Sequence, residues 1–170
     1  MTDIELVENA AEKRVMIAKD VLKLIELGRL KPARMTYLHF PDTAMKPGLF
    51  GSVMPIDPSS DADVDALAQA KCEGCAMGAL FLSSLLQFRQ GPSRRDYNAE
   101  KASTIRRYLL KFFPFQQLRS IEDVFECWSS YVNFPEYGRF LKALPDRYPS
   151  TVLKAIMQNI VDNNGDFVLA

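Results

Sequence analysis

Three cysteines and a single histidine are all that the 170 residues offer for thiol chemistry or soft metal ligation. So sparse and odd a cysteine count excludes a disulfide framework and fits a reducing compartment. Charge of one sign is also missing: 21 basic residues face 21 acidic ones, which argues against a chain devoted to polyanions while leaving room for local patches. The longest apolar run, CAMGALFLSSLLQF at Cys75–Phe88, is too short to span a bilayer. The opening MTDIELVENAAEKR is acidic and broken by charges, unlike a signal peptide. Internal repeats and low-complexity tracts are absent. A soluble, cytoplasmic protein with no cofactor and no membrane partner is expected.

What is present is ordinary globular composition, 48% hydrophobic and 25% charged, enough for one domain over 1–170 with a core of its own. Val7, Ala11, Val15, Ala18, Leu22 and Ile25 recur at helical spacing, and Gly28 with Pro32 is placed to end that helix. ARMTYLHF (Ala33–Phe40) has strand composition, and the closing DFVLA is a partner for it. Further helices are predicted over Cys75–Phe88, over Asn98–Phe113 up to Pro114, from Ser120 in SIEDVFECW, and from Ser150 to Gly165. The fold class that follows is mainly α, a compact helical bundle with a minor β element at about 33–40 and 166–169.

Residues 41–60 interrupt this pattern. Pro41, Pro47, Pro55 and Pro58, with Gly48 and Gly51, make a long irregular segment that still carries Met45, Leu49, Phe50, Val53 and Met54. Loops of that length are functional or mobile, so the segment reads as a binding loop or as a surface loop pinned by its own hydrophobes.

KCEGCAMGAL (Lys71–Leu80) holds the one C-x-x-C. Zinc would need Cys72 and Cys75 with Cys127 and His39, but structural zinc sites come as two local ligand pairs and the second pair is not there. A redox dithiol wants a preceding strand and a cationic setting, whereas DADVDALAQAK precedes this pair and Glu73 sits inside it. A nucleophilic Cys75 with His39 as base is the enzyme alternative. Against these stands packing: Cys75, Ala79, Leu82 and Leu86 form one helical stripe, and Ala76, Gly78 and Ala79 keep the helix thin. Packing is the reading adopted, with no catalytic residue and no metal site assigned.

DADVD resembles the start of a calcium loop, but Ala66 replaces the turn glycine and Cys72 the bidentate Glu. DNNGD is a helix C-cap by the same standard. Between Arg89 and Arg119 the charges lean positive, and Arg94, Arg95, Lys101, Arg107, Tyr108 and Lys111 form the candidate interaction face. It could meet an acidic protein surface, or nucleic acid as a lesser alternative, or be a solvated helix face. Phe125, Trp128, Tyr131, Phe134, Tyr137 and Phe140 place a ring at every third position. With Pro135 and Gly138 among them, the chain is expected to turn and gather the rings.

Three segments, Arg14–Val21 (R-x-x-I-A-K-D-V), CAMGALFLSSL and LKAIMQNIVDNNGDF, resemble a scattered group of small uncharacterised bacterial and phage-borne proteins of no established activity. The resemblance implies an accessory protein that binds and inhibits or modulates a host protein. The residues and the resemblance together give the expectation of a non-catalytic interaction module.

Overall fold

In the computed structural model the described residues are 3–39, 45–47, 53–55, 69–88, 102–126 and 134–169. They form α1 (Asp3–Glu26), β1 (Leu30–Pro32), β2 (Leu38–His39), β3 (Met45–Pro47), β4 (Val53–Pro55) and β5 (Cys72–Gly74). Helices α2 (Ala76–Phe88), α3 (Ala102–Leu109), α4 (Phe115–Glu126), α5 (Pro135–Lys142) and α6 (Pro149–Asp162) follow. The fold is mainly helical with a small sheet, as the composition and periodicity predict. Among the described residues no helix is long and apolar enough to cross a membrane.

Helix α2 is the centre. Every residue from Ala76 to Leu85 is buried, and α1, α3 and α4 pack around it. The serines at its middle do not disturb the core because each hydroxyl has an acceptor: Ser83 donates to the Ile17 carbonyl at 3.1 Å and Ser84 to that of Leu80 at 2.6 Å. Burying a ring such as Phe81, fully inaccessible here, contributes about 1.5–3 kcal/mol. At Gly78 the helix meets the chain so closely that a Cβ would fall on the Tyr37 carbonyl oxygen. The small-residue run therefore exists to let residues 36–38 lie directly on α2.

Helix α1 packs against both α2 and α6, so its buried arc is wide. Arg14, Ile17, Ala18, Val21 and Leu24 are buried, while Ala11, Val15, Leu22 and Ile25 flank them half-buried. The sequence stripe thus marks one shoulder of the arc. Gly28, at φ +67°, ends the helix, and Arg29 N–H returns to the Leu24 carbonyl at 3.0 Å.

The sheet differs from expectation. Residues 33–40 are not one strand: β1 ends at Pro32, the chain turns through Met35 at φ +61°, and β2 is two residues long. The central strand is the cysteine segment. β5 pairs parallel with β1 (Leu30↔Cys72) and antiparallel with β2 (Leu38↔Gly74). The tail at 166–169 joins no strand; Asn159 holds it, donating to the Val168 carbonyl (2.9 Å) and accepting the Val168 N–H (2.8 Å). One bidentate side chain fixes the tail where a ladder was expected. Within the Pro41–Ser60 segment, β3 and β4 pair antiparallel, Met45 opposite Pro55; the other residues of that segment lie outside the described ones.

Two helix starts also move. Helix α4 begins at Phe115, directly after Pro114, with Leu118 N–H returning to the Pro114 carbonyl at 3.1 Å. Ser120 is therefore inside the helix, where its hydroxyl accepts from Tyr137 at 3.3 Å. Helix α6 begins at Pro149, which suits a first helical position, so Ser150 sits in the first turn instead of capping it. Gly165 ends α6 as expected, at φ +101° with its N–H on the Ile160 carbonyl. Its carbonyl accepts from Arg14 Nε at 2.7 Å, and Arg14 also donates to the Phe112 carbonyl (3.1 Å) and Asp166 (2.9 Å).

Candidate functional site

Strand β5 and the start of α2 set the positions of the two described thiols. Cys72 lies on the inward side of β5, and Cys75 follows the strand, its N–H on the Thr36 carbonyl. Both are free and 3% exposed. Their sulfurs face different carbonyls, Cys72 that of Arg29 (3.6 Å) and Cys75 that of Tyr37 (3.9 Å). Burial pushes each thiol up to about 12, and for Cys75 the nearby Glu126 and Glu122 add to the rise. Both are thiols, not thiolates, at neutral pH, because burial outweighs any neighbouring charge in setting them.

The structure does not bring Cys75 and His39 into one site. His39 is exposed on β2 opposite Glu73 and lines a cavity of about 380 Å³ with Lys31, Lys71, Cys72 and Glu73. Cys75 lines a separate one of about 360 Å³. Among the described residues no group of His, Cys, Asp and Glu could hold a metal ion; Cys127 lies outside them.

The Cys75 cavity gathers a set of ionisable groups. Tyr37, Cys75, Arg106, Glu122, Asp123 and Glu126 line it together with Met35 and Thr36. Helix α4 supplies three carboxylates within two turns, α3 the guanidinium, and the turn before β2 the phenol. Glu122 accepts from Tyr37 Oη at 3.1 Å and from Arg106 at 2.6 Å. Glu126 accepts the Met35 N–H at 3.0 Å, which holds the left-handed residue in place. Asp123 lies 3.8 Å from Arg119. Burial raises Asp123 and Glu126 above the usual carboxylate range, and Tyr37 is pushed up to about 12 by burial and then by Glu122. These groups satisfy one another and fasten residues 35–37 to α4. Sequence reasoning missed them, although Glu122, Asp123 and Glu126 stand at helical spacing in IEDVFE; only Asp123 has a role assigned from sequence, as the capping-box partner of Ser120.

Of the predicted basic face, Arg94, Arg95 and Lys101 lie outside the described residues. Arg107 and Lys111 are exposed. Tyr108 is not on the outer face: it is 4% exposed, with its ring edge-on to Phe81 at 5.2 Å. Ile105, Tyr108, Leu109 and Phe112 make one buried stripe, so the apolar arc of α3 is one position wider than its aliphatic residues suggest. Lys111 Nζ still lies over that ring, 5.0 Å from its centroid. The row of aromatics divides: Phe125 is in the core, Phe134 stacks on Tyr137 (5.1 Å), and Phe140 meets Phe167 (5.5 Å). Trp128 and Tyr131 lie outside the described residues.

No family model, curated protein or solved structure matches this chain.

Proposed function

We propose that this protein acts by binding another protein through a basic surface, and that it performs no chemistry of its own. The observation that carries this reading is the state of Cys75. The thiol that an enzyme would use is buried, held protonated, flanked by carboxylates and separated from the one histidine. A cysteine nucleophile needs the opposite setting, an accessible sulfur beside a base or cation. Meanwhile Arg107 on α3 and Lys111 in the turn that follows it are exposed, in a cation-rich part of the chain, which suits an acidic partner surface. The resemblance to phage-borne accessory proteins would make that partner a host protein that is inhibited or modulated.

Affinity capture from a lysate with mass spectrometry, run on wild type and Arg107→Glu/Lys111→Glu, tests it. The wild type should enrich an acidic protein that the variant loses, with unchanged melting. Equal capture by both proteins, or enrichment of nucleic acid alone, would contradict it.

A further inference from the structure

Between β1 and β2 the chain lies on α2 at residues 34–37 with little apolar anchorage. Met35 is 79% exposed, and Arg34, Thr36 and Tyr37 are half-buried; of these, Tyr37 alone packs against the apolar core. Met35 also stands at φ +61°, a left-handed conformation that a Cβ disfavours. What holds the stretch is polar. Arg34 donates to the carbonyls of Phe125 (3.0 Å) and Arg147 (2.6 Å), Met35 N–H to Glu126 (3.0 Å) and Tyr37 Oη to Glu122 (3.1 Å). Beneath it lies Cys75, whose N–H meets the Thr36 carbonyl and whose sulfur meets that of Tyr37. Segments with few buried apolar contacts are the ones that open locally in a native protein.

The cavity that this stretch closes with α4 is rich in carboxylates: Glu122, Asp123 and Glu126 all line it. Cations face them from three elements. Arg106 on α3 is 2.6 Å from Glu122, Arg119 on α4 is 3.8 Å from Asp123, and Arg34 on the stretch itself acts to lower Glu126. Tyr37 and Cys75 are the other titratable groups of the lining. The cations do not prevail. Burial is the largest influence on Asp123 and on Glu126 and raises both above the usual carboxylate range, with Glu122 adding to the rise. Closing the stretch over an ionised carboxylate therefore costs desolvation, which a protonated one escapes.

We infer that residues 34–37 are a pH-sensitive strap over Cys75, one that seats on α4 as Asp123 and Glu126 take up protons and loosens as they release them. Glu126 keeps its hold in either state, since a neutral carboxyl still has lone pairs for the Met35 N–H. Both carboxyls titrate higher under the closed strap than under an open, hydrated one. Their contribution to closure is thus full below the ordinary carboxylate range and is lost as pH rises through their raised values. A salt-bridged carboxylate behaves in the opposite way and loses stability in acid. The strap uses neither Arg107 nor Lys111, so it can fail without the proposed partner surface, and the reverse.

Amide hydrogen exchange of the full chain, followed by NMR at about pH 5 and about pH 8, tests the strap when each rate is divided by that of an unstructured chain at the same pH. The amides of Met35 and Cys75, which bond to Glu126 and to Thr36, should be several-fold better protected at the lower pH. Amides in the middle of α1 and α6 should be protected equally at both. Asp123→Asn/Glu126→Gln should remove the difference and keep the two strap amides at their acid value, because each new side chain retains an acceptor oxygen without a charge. If the double variant does not fold, Glu126→Gln alone is expected to remove most of the difference. Tyr37→Phe should lower strap protection at both pH values and leave their ratio as in wild type. Equal strap protection at both pH values, protection that rises with pH, a difference that survives the Asn and Gln substitutions, or the same change throughout the helices would overturn the inference.

Discussion

At the residue scale, Cys75 shows how one spacing can carry two meanings. C-x-x-C brings sulfurs together only when the intervening chain turns; here Cys72–Gly74 is extended, so the two sulfurs address different carbonyls. The consequence is measurable. With both thiols raised from 9.0 to about 12, about a thousandfold less thiolate is present near neutral pH than in an unfolded chain. Iodoacetamide labelling followed by peptide mapping should show Cys72 and Cys75 modified at least about a hundredfold slower in the native protein than in denaturant. The native rate should keep climbing with pH beyond 9, because the folded thiols deprotonate only near 12. Rapid native labelling of Cys75 at neutral pH would revive the enzyme alternative.

At the element scale, the long helices were legible and the short strands were not. Helices α1, α2 and α6 announce themselves because each repeats its apolar spacing over three turns or more. Strands of two or three residues complete no period, so Leu30–Pro32 and Cys72–Gly74 carry no signal of their own. Tyr108 was misplaced for a related reason: a tyrosine at the edge of an apolar arc serves either side, and only the ring of Phe81 decides. The acidic cavity was invisible because it joins α4 to a turn some 85 residues away in sequence. Gly78, by contrast, was legible as a small residue, though what it accommodates was not. Its α-carbon faces the Tyr37 carbonyl, a backbone group that cannot swing aside. Gly78→Ala should therefore cost about 3 kcal/mol or more in chemical denaturation, at the upper end of overpacking. A change below about 1 kcal/mol would mean that residues 36–38 do not rest on α2.

At the scale of the whole molecule, Arg14 closes the fold. It joins α1 to the end of α6 and to the turn after α3, so three segments far apart in sequence meet at a single guanidinium. Its bonds differ in weight. The two backbone carbonyls are reached by a side chain only 9% exposed, whereas Asp166 is 64% exposed and screened by water. Arg14→Ala should cost about 2–4 kcal/mol through the buried bonds, and Asp166→Ala less than about 1 kcal/mol. Equal costs in urea titrations would show that the ion pair, not the carbonyl contacts, holds the termini together.

The proposed function lies at the surface, and this is where the account is most exposed to contradiction. The most direct measurement is the affinity of the captured partner for Cys75→Ser set beside Arg107→Glu/Lys111→Glu, each with its melting curve. The account predicts that Cys75→Ser lowers the melting temperature while a folded sample binds as tightly as wild type, and that the charge reversal melts normally yet loses binding. Loss of activity in a Cys75→Ser protein of unchanged stability, with binding indifferent to Arg107 and Lys111, would contradict it.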